Sequence, residues 1–205
     1  MWDLFVSAFV MLFVVIDPPG IAPIFAALTA EGDAAFRRRM ALRGVVIATG
    51  ILLFFAFLGQ PFLAAMGITL PALKVAGGLM LFILALEMVF ERRSARRGTA
   101  AERASAEHPD DISVFPLAIP LLAGPGAITS VILLTAKTGG AWPATATVLA
   151  ALGAVMAITL VILLLAERVV AWIGATVAAV LSRVLGIVLA ALAAQFTLAG
   201  IAEFF

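Results

Sequence analysis

Two clusters of residues lie inside apolar stretches of this chain where their chemistry is out of place: Ile16-Asp17-Pro18-Pro19-Gly20 and Leu122-Ala123-Gly124-Pro125-Gly126. A charged aspartate at the centre of a spanning helix costs about 2.5 to 3.5 kcal/mol. Proline inside a helix costs about 3 kcal/mol and glycine about 1. A helix that restarts after such a break presents free N–H groups and the positive end of its dipole. Pro19 and Pro125 suit the first turn of a restarted helix. Two restarted half-helices facing each other would make a cradle for an anion, and a carboxylate is the natural guest. Asp17 has three roles open to it: it can bind an ammonium group, carry a coupling proton or cation, or cap the restarted helix by accepting its N–H groups. Thr129 and Ser130 are the hydroxyls beside the second cluster, and they can be ligands or can bond back to their own helix. The candidate solute site is therefore Asp17, Pro18, Pro19 and Gly20 with Gly124, Pro125, Gly126 and Thr129, and Asp17 doubles as the candidate carrier of a coupling proton or cation. One such cluster reads most simply as an ordinary proline kink; the same cluster twice favours a functional site.

The elements that hold these clusters follow from composition. Of 205 residues, 64% are hydrophobic and 12% charged, against about 25% charged in a soluble domain. Such a chain cannot bury its apolar side chains in itself, and a bilayer admits only helices or closed barrels. Apolar runs of about 20 residues without strand alternation select helices. Six runs are present, near 4–28, 45–66, 70–90, 114–135, 144–166 and 184–204. A charged loop at 31–43, a long polar loop from 91 to 111 and an amphipathic link at 167–183 are expected between them. The start of the chain lacks a basic segment and reads as an uncleaved first helix.

Lysine and arginine set the orientation, because positively charged loops stay cytoplasmic. Eleven arginines fall in the first, third and fifth connections, and the other side holds only Lys74 and Lys137. The odd connections are therefore expected inside and both termini outside.

The halves resemble each other. Pro19-Gly20-Ile21 aligns with Pro125-Gly126-Ala127 at an offset of 106, and Met66-Gly67-Ile68-Thr69 with Ile173-Gly174-Ala175-Thr176 at 107. Lys74-Val75-Ala76-Gly77 then aligns with Arg183-Val184-Leu185-Gly186 at 109. A unit of three spans is odd, so the second copy enters the membrane in the opposite sense, which is the plan of many secondary transporters. The expected fold is all-α, with six transmembrane helices as two inverted three-helix repeats whose first and fourth helices are broken. The units are 1–90 for the first repeat, 91–111 for a cytoplasmic polar loop and 112–205 for the second repeat.

Gln60, Lys74, Glu87, Glu167, Arg183 and Gln195 stand at or near span ends. They read as snorkelling charges and interhelical hydrogen bonds. The spans hold no histidine and, like the whole chain, no cysteine, so no catalytic set, metal site or cofactor is expected. No basic cluster is interleaved with aromatics, which argues against nucleic acid, and no phosphate-binding loop argues for direct ATP use.

With Asp17-Pro18-Pro19-Gly20-Ile21-Ala22-Pro23-Ile24-Phe25 and Pro120-Leu121-Leu122-Ala123-Gly124-Pro125-Gly126-Ala127-Ile128 in view, the chain resembles the MarC family of bacterial inner-membrane proteins. The resemblance covers essentially the whole length, and Lys74-Val75-Ala76-Gly77-Gly78-Leu79 is also similar. It implies transport of small neutral amino acids such as glycine and alanine, and it does not imply drug efflux. The expected partners are a small zwitterionic solute and the lipid bilayer, with room left for a homo-oligomer. Two other readings compete with a carrier. One is an intramembrane enzyme on lipid-linked substrates, which would need converging acid–base groups or a nucleophile. The other is a channel or scaffold without a transport cycle.

Overall fold

The computed structural model describes residues 1–90, 99 and 111–204. The expected polar loop therefore lies outside the described residues except at Thr99 and Asp111. The described residues form helices and no strand. They are α1 (Trp2–Ile16), α2 (Pro18–Leu28), α3 (Ala34–Ala65), α4 (Leu70–Val89), α5 (Ser113–Leu122), α6 (Pro125–Ala136), α7 (Trp142–Leu164) and α8 (Ala166–Phe204).

Among the described residues, five stretches are long and apolar enough to cross a membrane: Trp2–Leu28, Ala34–Ala65, Leu70–Val89, Trp142–Leu164 and Thr176–Phe204. The pair α5 and α6, bent by 56°, makes a sixth if it is one span. Large apolar side chains such as Phe54, Phe57 and Phe62 on α3 and Val184 and Ile187 on α8 point outward. In a soluble protein such a surface would aggregate; here it faces acyl chains.

Three expected boundaries differ. Residues 31–43, expected as a loop, enter α3 at Ala34, because Asp33 accepts the Phe36 N–H at 2.7 Å and caps the helix. At 1.5 Å per residue the 32 residues of α3 reach about 48 Å, longer than the ~30 Å hydrocarbon core, so its arginine-bearing first turns project beyond the lipid. The link 167–183 is helical and breaks only at Gly174 (φ 72°, ψ 156°), so the last span begins at Thr176 and includes Ser182 and Arg183. The first half of the fourth run is not a regular helix. Phe115 and Ile119 are extended, each precedes a cis proline (Pro116 and Pro120), and the turns close through wide bonds from Leu117 N–H to Ile112 O and from Ala123 N–H to Ala118 O.

Helices adjacent in sequence touch little. Instead α1 and α2 pack on α7, and α5 and α6 pack on α3. The most extensive packing joins α4 to α8. There a Cβ on Gly78 would lie 2.8 Å from the Thr197 backbone nitrogen, and one on Gly186 would lie 2.8 Å from Met88 Cβ, so only glycine lets the backbones approach this far. The register, 78 beside 197 and 186 beside 88, is antiparallel. On α3, Gly44 faces Ser113 and Leu117 while Gly59 faces Ile132, so α3 runs parallel to α5 and α6. Met1 and Thr147, near the starts of α1 and α7, meet at 3.7 Å between Sδ and Oγ1, while Pro19 and Pro23 of α2 share a cleft with Ile162 near the end of α7; these two are also parallel.

Candidate functional site

Asp17 is both the last residue of α1 and the first of α2. Its N–H donates to Phe13 O at 2.9 Å, and its carbonyl accepts from Ile21 N–H at 3.1 Å. The break is one residue wide and relies on a left-handed backbone (φ 59°, ψ 60°), which aspartate tolerates better than residues without a short polar side chain. The side chain is 2% exposed. Its Oδ1 accepts the Gly20 N–H at 3.2 Å, and the Ser182 hydroxyl donates to Oδ1 at 3.0 Å, lying 3.2 Å from Oδ2. A Cβ on Gly20 would stand 2.2 Å from Oδ2, so glycine there is what allows the carboxylate to fold back over the helix end.

This geometry decides what the start of α2 can bind. Pro18 and Pro19 have no N–H, and Gly20 gives its own to Asp17, so the turn has no amide left for a guest. Asp17 is thus a cap, and it is also a buried carboxylate held by hydroxyl and amide donors. Pro18 is buried with it, while Pro19 and Gly20 are half-buried.

The second break is built differently. Gly124 opens α6 in an extended conformation, and a Cβ on it would lie 2.6 Å from Pro120 O. Pro125, at the first helical position, is exposed, whereas Gly124 is buried. The N–H groups of Gly126 and Ala127 find neither a side-chain cap nor a backbone acceptor among the described residues. The Ser130 hydroxyl bonds back to Gly126 O at 2.7 Å, the local alternative to a ligand role. Thr129, 9% exposed, packs its methyl against the space over Gly77. The two breaks approach each other: a Cβ on Gly126 would lie 3.3 Å from Cγ1 of Val15, two residues before Asp17.

Sequence reasoning missed Ser182, which it left in a connecting link. The signal was present as the dipeptide Ser182-Arg183 in an otherwise apolar stretch. Beside this contact a cleft of about 130 Å³ opens between Pro19 and Pro23 of α2, Ile162 of α7, and Gly174, Ala178 and Leu181 of α8.

The charges sort to two ends. On one, Arg37 meets Glu167 at 3.2 Å and Gly32 O at 2.6 Å, and Arg43 meets Asp111 at 2.9 Å. Ser113 donates to Asp111 from both its N–H and its hydroxyl, and these bonds, with Arg43 adding to them, hold the carboxyl below its ordinary value. At the other end Lys74 Nζ sits 2.6 Å from Glu203 Oε2. Lys137, just beyond α6, lies 4.3 Å from the centre of the Phe196 ring. Burial first, then the Lys74 charge, push the Lys137 amine below its usual range, and Glu203 partly opposes them. Of the other polar residues, Gln60 and Gln195 are exposed and Glu87 is half-buried. No group of three His, Cys, Asp or Glu that could hold a metal occurs among the described residues.

Comparison with known proteins agrees with this architecture. Residues 2–205 match the model of the MarC family integral membrane protein. A UPF0056 membrane protein of Archaeoglobus fulgidus is 36% identical over 201 residues, covering 97% of this chain and 92% of that one. The UPF0056 membrane protein YvbG of Bacillus subtilis is 32% identical over 206 residues, covering 100% and 97%. No solved structure matches the chain. Together the full-length match, the apolar helices and the two proline-glycine breaks place the chain in the MarC family of multi-pass integral membrane proteins.

Proposed function

We propose that this protein is a secondary transporter of small neutral amino acids, glycine- or alanine-like, built from two inverted three-helix repeats (1–90 and 112–205) joined by a cytoplasmic loop. The observation that carries the reading is the complementarity of the breaks. One brings a buried carboxylate, Asp17, and the other brings the uncapped N–H groups of Gly126 and Ala127. A zwitterion has an ammonium for the first and a carboxylate for the second. Gly20, Gly124 and Gly126 at the breaks carry no side chain, which favours a small solute.

Helix directions support six spans. If each helix reverses the last, spans one and five run parallel, as do two and four, while three and six oppose; the packing of α1 on α7, α3 on α5 and α6, and α4 on α8 agrees at each pair. The exchange of partners, in which each half's broken span lies on the other half's middle helix, is what a two-fold axis in the membrane plane would produce. The arginine-rich end is the cytoplasmic one on this reading, with both termini periplasmic in a bacterial inner membrane. One repeat rocking against the other would open the site to each side in turn, with Asp17 as the group that loads a proton or cation.

An intramembrane enzyme would need an activated nucleophile open to its substrate, and the hydroxyl beside Asp17, that of Ser182, is buried and bonded to the carboxylate, so no catalytic residue is assigned. A channel would conduct without saturation. The deciding test is counterflow of labelled alanine into liposomes loaded with unlabelled alanine. Saturable exchange that disappears in Asp17→Asn supports a carrier with its site at the breaks. Absence of exchange with alanine, glycine and serine alike would remove the amino-acid reading.

A further inference from the structure

The arginine-rich end holds a second concavity that the solute path does not use. It is a cleft of about 480 Å³ between the α2–α3 connection and the junction of α7 with α8. Arg37, Arg38 and Arg168 line it against a single acid, Glu167, and Leu163 and Leu165 make its apolar wall. Arg37 is committed to Glu167 and to Gly32 O. Arg38 and Arg168 are exposed and form no ion pair with a described residue. The wall continues onto the lipid-facing surface, where Leu164 and Leu165 are 44% and 40% exposed.

We infer that this cleft binds the phosphate headgroup of an anionic phospholipid, with the guanidinium groups of Arg38 and Arg168 on the phosphate and an acyl chain along the α7–α8 junction. Three features support a lipid over a soluble anion. The cleft lies at the end of the spans, at headgroup depth. It is positive beyond what Glu167 neutralises, and planar guanidinium pairs match phosphate oxygens. Its apolar wall would be an unsuitable lining for a free, fully hydrated ion. The occupant would bridge the end of α2 to the start of α8, on either side of the Asp17–Ser182 contact. The inference stands whether or not the solute is an amino acid.

The test uses the full-length protein in detergent, with thermal unfolding followed by tryptophan fluorescence as phosphatidylglycerol, phosphatidylcholine or inorganic phosphate is added. Phosphatidylglycerol is expected to raise the midpoint by several degrees and the other two to leave it nearly unmoved. The double variant Arg38→Gln with Arg168→Gln should keep its midpoint without anionic lipid yet need about tenfold or more phosphatidylglycerol for the same shift. Arg38→Lys with Arg168→Lys should retain most of the response. Glu167→Gln should respond at lower lipid, because it removes the competing acid. Equal shifts with phosphatidylcholine would mean that acyl chains alone bind, and equal shifts with phosphate would assign the cleft to a soluble anion. An unaltered response of the glutamine double variant would place lipid binding elsewhere. Any of these three results overturns the inference.

Discussion

Ser182 gives its hydroxyl to the carboxylate of Asp17 across 165 residues of sequence, at 3.0 Å from Oδ1 and 3.2 Å from Oδ2. The contact ties the one-residue break between α1 and α2 to the last helix of the chain. Asp17 caps α2 as well, and substitution separates that role from the solute or proton role the proposed function gives it.

Asp17→Asn keeps an oxygen for the Gly20 N–H and tolerates the left-handed backbone, so the unfolding midpoint in detergent should change by no more than a few degrees while alanine exchange is lost. Asp17→Ala forfeits the cap, about 1 kcal/mol, and places an intolerant residue in the left-handed region, a further 1 to 2 kcal/mol. It should lower the midpoint and abolish exchange. Equal destabilisation by the two variants would mean that the negative charge itself holds the break together.

Gly20→Ala should behave like loss of the cap, because its Cβ would fall 2.2 Å from Asp17 Oδ2 and must displace the carboxylate. Gly50→Ala on α3, where nothing lies within 4 Å, should be neutral or stabilising by up to about 1 kcal/mol. Thermal unfolding of the pair checks both signs. Equal stability of the two would show that Asp17 does not need the close approach.

The chain's two lysines should differ in reactivity towards an acylating reagent. Lys74 is buried in its pair with Glu203, whereas burial and the Lys74 charge depress the Lys137 amine. Lys137 should therefore be modified first, at a pH below that usual for lysine. Glu203→Gln removes the group that props its pKa up, so Lys137 should react faster still at a given pH. Mass spectrometry of the labelled peptides gives the order, and slower labelling in Glu203→Gln would contradict the arrangement.

Acid should loosen the start of α5. Asp111 is held below its ordinary 3.8 by its bonds from Ser113 and, less, by Arg43. A lowered folded pKa means stability present above 3.8 and lost as pH falls from there through the folded value. With a side chain 39% exposed the effect is screened to roughly 0.5 kcal/mol or less. Hydrogen exchange at Ser113 and Val114 should rise over that interval in the parent protein and stay flat in Asp111→Asn.

The sequence shows most clearly the parts governed by lipid. Each of the five stretches long and apolar enough to span contains an apolar run legible in the sequence, and the run at 70–90 lies within one residue of α4. It shows less well where polar side chains serve a helix. Arg37, Arg38 and Arg39 look like a loop until Asp33 is recognised as a cap. Ser182 looks like part of a linker until a partner for Asp17 is sought. Pro116 and Pro120, four apart, already forbid a regular helix, because the residue before each proline is driven to extended backbone; apolarity alone concealed that. Of the candidate site, the two helix breaks and the inward-facing Asp17 were legible. Which amides stay free was not, because that depends on Asp17 folding back onto Gly20, a matter of three-dimensional geometry.

The pairing of Lys74 with Glu203 has a consequence for how the protein is made. The partners are 129 residues apart, and α4 is synthesised long before the end of α8. A growing chain therefore delivers the lysine to the bilayer without its counter-ion, with the α4 glycine seam open to lipid, and it stays so until α8 arrives. Insertion of α8 both neutralises that charge and closes the seam, so a chain stalled before α8 has emerged from the ribosome should hold an intermediate in which the earlier helices are inserted but α4 is still unsealed.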